Sequence, residues 1–176
     1  IRVANLTSKF CKIYHYDSNS SINIYYGALL HDIGKIYISK DILNKKGKLS
    51  YDEFEKIKKH PKDGIAIIDE MFNTCNVPKE TLQIIGWHHT AYDGIGGYPD
   101  NCLFGENIPE YVRLVTIADV FDAISQDRPY STAKSKTETL KIMQGLTRLD
   151  LHMLSNLQSV LLPKEYNHDH CLIIKC

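Results

Sequence analysis

The chain has no excess of either charge: Lys plus Arg and Asp plus Glu both count 21 among its 176 residues. Balanced charge gives no long-range field toward a nucleic-acid polymer or an acidic membrane surface, so any preference for phosphate must come from a local site. Paired cysteines are also lacking. Cys11, Cys75, Cys102, Cys171 and Cys176 are odd in number and show no CxxC spacing, which argues against a disulfide framework and a zinc ribbon and fits a reducing cytoplasm. No apolar run approaches the roughly 18 residues of a membrane-spanning helix, and no signal-peptide pattern opens the chain. It begins at Ile1 rather than Met, with helical periodicity already under way, as expected for a piece of a longer protein. Strand alternation, internal repeats and low-complexity tracts are missing as well.

What is present is helical periodicity over a chain that is 43% hydrophobic, enough for one substantial core and a single domain over residues 1–176. Val3, Leu6, Phe10 and Ile13 form one apolar stripe, and Ile22, Tyr25, Tyr26, Leu29 and Leu30 form a second that runs into HDIGK. Residues 36–48 read as a loop turning at Gly47. Ser50 with Glu53, and Ser135 with Glu138, have the spacing of capping boxes. The helix opened by Ser50 is expected to reach His60, just before Pro61. Ile65, Ile68 and Phe72 continue helically, and Pro78 and Pro109 suit helix starts. Leu151, Leu154, Leu157 and Leu161 mark a last helix, with CLII at 171–174 left as a short strand or tail. The fold class is therefore all-α, with about seven helices and a cleft between them.

Along these helices lie His31 and Asp32, His60, His88 and His89, and Asp119. Imidazole nitrogen and carboxylate oxygen without thiolate suit Fe, Mn, Ni or Zn better than a closed structural zinc site. Adjacent residues on a helix diverge by about 100°, so His88 with His89 suggests two ions sharing a cleft, and the two oxygens of Asp32 can bridge them. The apolar stripes should pack together and bring His31, Asp32, His88, His89 and Asp119 to one place. Lys35, four residues beyond His31, would reach the same cleft as a cation for phosphoryl oxygens. Asp122 is either a group orienting a ligand histidine or a plain surface carboxylate. Tyr98, beside Pro99 in a glycine-rich loop, either stacks on a base or merely packs. His15 and His152 lack ligand neighbours, and HDH at 168–170 sits in a polar tail without a ligand set.

HDIGK at 31–35, ILNKKGKLS at 42–50, KKHPKDG at 58–64, HHTAYDGIGGYP at 88–99, GENIP at 105–109 and IADVFDAISQDRPY at 117–130 resemble the HD-GYP branch of the HD metal-dependent phosphohydrolases. The resemblance spans most of residues 1–135. It implies a phosphodiesterase that hydrolyses cyclic di-GMP to the linear dinucleotide and to GMP, with a bridging water activated between two metal ions. It makes His31, Asp32, His60, His88, His89 and Asp119 metal ligands, Asp32 and Lys35 catalytic, and Lys35, Arg128 and Tyr98 substrate contacts. It also implies a GGDEF-type partner met through the GYP-like loop, and an upstream sensory or receiver domain. The family's upstream Glu and His, which a third ion would need, would precede Arg2 and Val3. The chain departs from the family at Thr90, where a Glu is usual, at the extra glycine of Gly96-Gly97, and after about Lys136, where residues 136–176 form a divergent tail. Two other readings keep the fold: a weakly active or inactive module that binds the nucleotide or a diguanylate cyclase, and an HD hydrolase of another cyclic dinucleotide.

Overall fold

A computed structural model describes residues 1–72, 74–99, 103–127 and 132–162. Among them lie nine α-helices, one a single turn, and three 3-10 turns, with no strand: α1 (Arg2–Ile13), α2 (Ser18–Leu30), a 3-10 turn at Ile33–Tyr37, α3 (Lys40–Leu43), α4 (Tyr51–Ile57), α5 (His60–Phe72), a 3-10 turn at Thr74–Asn76, α6 (Lys79–Trp87), a 3-10 turn at Gly105–Asn107, α7 (Glu110–Ser125), α8 (Lys136–Gln144) and α9 (Leu151–Leu161). The count exceeds the expected seven because α3 forms inside the stretch read as a loop and the helix expected to run on from Ser50 breaks between α4 and α5. CLII lies outside the described residues.

Helix starts follow local chemistry. Asp17 caps α2 by accepting from the amides of Asn19 and Ser20, and both capping boxes form, Ser50 with Glu53 on α4 and Ser135 with Glu138 on α8. Pro78 and Pro109 stand at the N-caps of α6 and α7. His60 does not end α4 as expected. That helix stops at Ile57, and His60 opens α5 with Pro61 in its first turn, a place where a missing amide hydrogen costs nothing.

α7 is the centre of the core. Val112, Leu114, Val115, Thr116, Ile117, Ala118 and Phe121 are all buried, and a helix covered on nearly every side belongs in the middle of a bundle. α1, α6 and α8 pack against it, α2 packs on α1 and α6, and α9 closes on α1 and α8. Leu140, Met143, Leu154, Leu157 and Leu161 join the same core, so α8 and α9 pack with the helices before them. The buried face of α2 is not the expected one: Ile24, Gly27 and Ala28 are buried, while Ile22, Tyr26 and Leu29 are exposed. Small residues win that position because a β-carbon on Gly27 would come within 2.8 Å of Ile84. Phe72, at the end of α5, is also exposed.

The tightest contact lies beneath HDIGK. A β-carbon on Gly34 would fall 2.0 Å from the His60 carbonyl oxygen and 2.6 Å from the Gly64 amide nitrogen. Backbone therefore meets backbone, and the segment carrying His31 and Asp32 is seated directly on the start of α5. Gly34→Ala should cost at least about 1–3 kcal/mol, as overpacking does, and lower the thermal midpoint by roughly 3–10 °C. Gly86→Ala is the control, since its β-carbon would meet only Ile65 at 3.7 Å, and it should be neutral or slightly stabilising. Calorimetry of both variants checks this; an unchanged midpoint in Gly34→Ala would show that the turn can lift off α5.

Candidate metal centre

Four elements deliver the ligands. His31 caps the C-terminus of α2, Asp32 precedes the first 3-10 turn, His60 opens α5, and His88 caps the C-terminus of α6 with His89 just beyond it. Asp119 projects from the third turn of α7. Three of the histidines are oriented by backbone. The Nδ1 of His31 lies 2.7 Å from the Ala28 carbonyl oxygen, that of His60 2.8 Å from Ile57, and that of His88 3.1 Å from Ile84 and 3.2 Å from Ile85. Carbonyl oxygens only accept, so Nδ1 donates in each case. In the neutral ring Nε2 is then left with its lone pair toward the cleft. A fourth anchor is Thr116, whose buried hydroxyl lies 2.8 Å from the His88 carbonyl oxygen.

Asp32 stands between two groups of donors. Its Oδ1 lies 3.3 Å from His60 Nε2 and 3.9 Å from His88 Nε2, while its Oδ2 lies 3.5 Å from His31 Nε2 and 2.6 Å from Lys35 Nζ. His31 Nε2 is in turn 3.7 Å from Asp119 Oδ1. Asp32, His60, His88 and His89 each offer a donor atom within 4.8 Å of the others. The expected divergence of His88 and His89 does not arise, because it applies inside a helix and α6 has ended at Trp87. Both rings serve one group, and the second group is His31, Asp32 and Asp119.

Burial and charge make this cluster unusual. Burial holds His88 and His89 neutral, lowering their pKa values to about 3 and about 2. Burial also works against a charged His31, but Asp119 and Asp32 outweigh it and raise its pKa to about 10. Burial likewise opposes a charged Asp119, but His31, with His88 adding to it, overrides that and brings its pKa down to about 2. Burial opposes ionisation of Asp32 too, and His31 and His60 reverse the direction, holding the carboxylate well below its ordinary range.

The donor set fits a divalent ion on two observations. His60 Nε2 and His88 Nε2 approach to 3.2 Å although both rings carry hydrogen on Nδ1, so two lone pairs face each other unless a cation or proton lies between them. Two nitrogens bound to one ion at about 2.0–2.1 Å would stand roughly 2.9–3.4 Å apart. Asp32 Oδ1, moreover, is buried without a hydrogen-bond partner, which is costly in a folded protein unless something else satisfies it.

The remaining expected residues divide. Lys35 and Tyr98 line the same cleft as His89 and Asp119, a cavity of about 1040 Å³. Tyr98 stacks on His89 with ring centroids 4.5 Å apart, so one of its faces is already used. Asp122 has another partner than a histidine: it accepts from Arg2 Nε at 2.7 Å and Arg2 Nη2 at 3.1 Å. His15 sits in the turn after α1 and His152 is exposed on α9, both outside the cluster. Arg128 and HDH at 168–170 lie outside the described residues. Thr116 went unnoticed in the sequence, although it precedes Asp119 by three residues and therefore shares its side of α7. That residues 42–51 line this cleft was not read from the sequence, where residues 36–48 stood as a loop and Ser50 as a helix cap.

Among the described residues no helix is long and apolar enough to cross a membrane. The HD domain family model matches residues 1–151. The chain is 43% identical over 106 residues to the cyclic di-GMP phosphodiesterase response regulator RpfG of Xanthomonas campestris pv. campestris, covering 60% of this chain and 27% of that protein. It is 36% identical over 143 residues to 3'3'-cGAMP-specific phosphodiesterase 3 of Vibrio cholerae, covering 79% and 30%. It thus spans about three tenths of the length of these relatives. Among solved structures, the HDGYP protein Bd1817 of Bdellovibrio bacteriovorus superposes with a TM-score of 0.72 at 21% identity, over 92% of this chain and 50% of that one. The HD domain of the L. monocytogenes phosphodiesterase PgpH, in complex with cyclic di-AMP, superposes with a TM-score of 0.63 at 19% identity, over 91% and 84%. Matched over residues 1–151 and sharing this helical architecture, the chain belongs to the HD domain family.

Proposed function

We propose that this chain is a metal-dependent phosphodiesterase domain that cleaves cyclic dinucleotides, cyclic di-GMP among them. The observation that carries the reading is the Asp32 carboxylate, whose two oxygens face two separate groups of donors. His60, His88 and His89 with Asp32 would hold one divalent ion, and His31 and Asp119 with Asp32 a second. Ions held there would lower the pKa of water and polarise the phosphoryl oxygens of a diester. Relatives that act on cyclic di-GMP and on 3'3'-cGAMP support the substrate class. One of these relatives is named a response regulator, which supports a signalling role; a bacterial cytoplasm, an upstream sensory or receiver domain and a GGDEF-type partner at the loop of Tyr98 belong to the same proposed reading.

The protein's own groups have distinct roles in this reading. Burial keeps His88 and His89 neutral at pH 7, so neither must lose a proton before ligating. Lys35, only partly buried beside Asp32, places an ammonium where charge accumulates on the phosphoryl group. Tyr98, on the outer face of His89, shields that ring from water.

Asp32→Ala should remove metal from both positions and reduce hydrolysis of cyclic di-GMP by at least about 100-fold. Elemental analysis beside a turnover assay decides this, and full metal stoichiometry in the variant would exclude a bridging role. Lys35→Ala should keep its metal and its thermal midpoint within a few degrees, because a partly exposed ion pair contributes only about 0–1 kcal/mol. Its turnover should fall about 100-fold. Turnover within a few-fold of the parent would reduce Lys35 to a surface cation, and loss of metal would make its effect structural.

The metal-stripped protein should also report the buried histidines through pH. His88 and His89 have folded pKa values below the unfolded value of about 6.5, so the unfolded state binds more protons and acid destabilises the fold. His31 has the opposite sign: its contribution is complete below about 6.5 and lost as pH rises toward about 10. Thermal midpoints measured in chelator should therefore be highest near neutrality and fall between pH 6.5 and 4. A flat profile over that window would show that the two histidines are not buried neutral.

A further inference from the structure

The cleft is larger than a metal-bound phosphate requires. Its roughly 1040 Å³ lies at the top of the range of about 300–1,000 Å³ usual for pockets that enclose a small molecule. Lys35, His89 and Asp119 line one end, and residues 42–51 with Phe54 and Ile57 line the other.

That far wall is built for a flat, charged ligand. Ile42, Leu43 and Leu49 give it an apolar floor, and Tyr51 and Phe54 stand at its side with 78% and 44% of their surface exposed. Exposed aromatic faces inside a cleft are covered favourably by a nucleobase. An aromatic series joins this wall to the metal ligands: Tyr98 stacks on His89 at 4.5 Å, and Phe54 meets the Tyr98 ring edge-on at 6.3 Å.

The cations of the cleft are not equivalent. Lys35 is paired with Asp32 at 2.6 Å, and Lys45 is held by both oxygens of Glu53 at 2.8 and 2.6 Å. Lys48 also lines the cleft and has no acidic partner among the described residues, so its charge is available to an incoming anion. The wall that bears it is pinned in advance. Glu53 holds Lys45 and at the same time accepts from the Ser50 amide at 2.6 Å, and between these two anchors Gly47 bends the chain at φ 138°, a conformation that suits glycine. Preorganisation of this kind lowers the entropy lost on binding.

We infer that residues 42–51 and Phe54 form the subsite for the second nucleotide of a cyclic dinucleotide, with Lys48 on its phosphate and Tyr51 and Phe54 against its base. The inference rests on the phosphodiesterase reading above and sharpens it. The metal end takes the scissile phosphate, and the far wall separates ligands with two phosphates and two bases from mononucleotides.

The test measures affinity of the Mn(II)-loaded protein for the slowly hydrolysed bis-phosphorothioate of cyclic di-GMP and for GMP. Turnover of bis(p-nitrophenyl) phosphate, a diester with one phosphate and no base, is measured alongside. Lys48→Ala and Tyr51→Ala should each weaken the dinucleotide analogue about tenfold, and Lys48→Arg should stay within about threefold of the parent. GMP affinity and bis(p-nitrophenyl) phosphate turnover should not change in any variant. Unchanged dinucleotide affinity in both alanine variants overturns the subsite, as does an equal loss for GMP. A parent that turns over bis(p-nitrophenyl) phosphate yet does not bind the analogue also overturns it, leaving the metal chemistry standing. A parent that binds the analogue without turning over either diester sinks the phosphodiesterase reading, while the variants still decide the subsite.

Discussion

Everything around the cleft answers to one electrostatic constraint, the Asp32 carboxylate set among imidazoles with one of its two oxygens buried. A charge removed from water must be met by opposite charge or by hydrogen bonds. Here Oδ2 finds Lys35 at 2.6 Å, while Oδ1 is buried without a hydrogen bond. The arrangement exists only because backbone forces it. Gly34 brings the 3-10 turn into direct contact with the start of α5, which sets Asp32 beside His60, and the ends of α2 and α6 aim His31 and His88 at the same point.

Much of the cluster was legible because ligand-type residues announce themselves. HD, HH and a carboxylate on an otherwise apolar helix are few and close-spaced enough to be read together. The capping boxes at Ser50 and Ser135 were legible for a similar reason, since each is a local reaction between a side chain and the amides three residues on. What depends on distant neighbours was not. The apolar side of α2 pointed to Ile22, Tyr26 and Leu29, but the helix turns Gly27 and Ala28 inward because Ile84 leaves no room for anything larger. His88 and His89 were treated as helical neighbours, whereas the helix ends one residue earlier. Spacing from Asp119 left Asp122 as either a group orienting a ligand histidine or a plain surface carboxylate, and Arg2, 120 residues away, holds it instead.

The two ends of the cleft differ in how they are made. The metal end is assembled from α2, α5, α6 and α7, and its positions follow from core packing. The far wall comes from one stretch of chain between the first 3-10 turn and α4, held by Glu53 and Ser50 rather than by the core. In the proposed reading the groups that perform chemistry would stay with the scaffold, and the surface that selects a ligand would sit on a segment able to change without disturbing it.

The backbone anchoring of the histidines has a consequence of its own. His31, His60 and His88 each hold a carbonyl of the segment they belong to, and none depends on a neighbouring ligand for its pose. The centre is therefore a set of independent mounts rather than an interlocked ring. Loss of one mount leaves the others aligned, so mutational drift would wear such a site away one ligand at a time, and intermediate sequences on that route would keep a folded pocket long after they had ceased to be good catalysts.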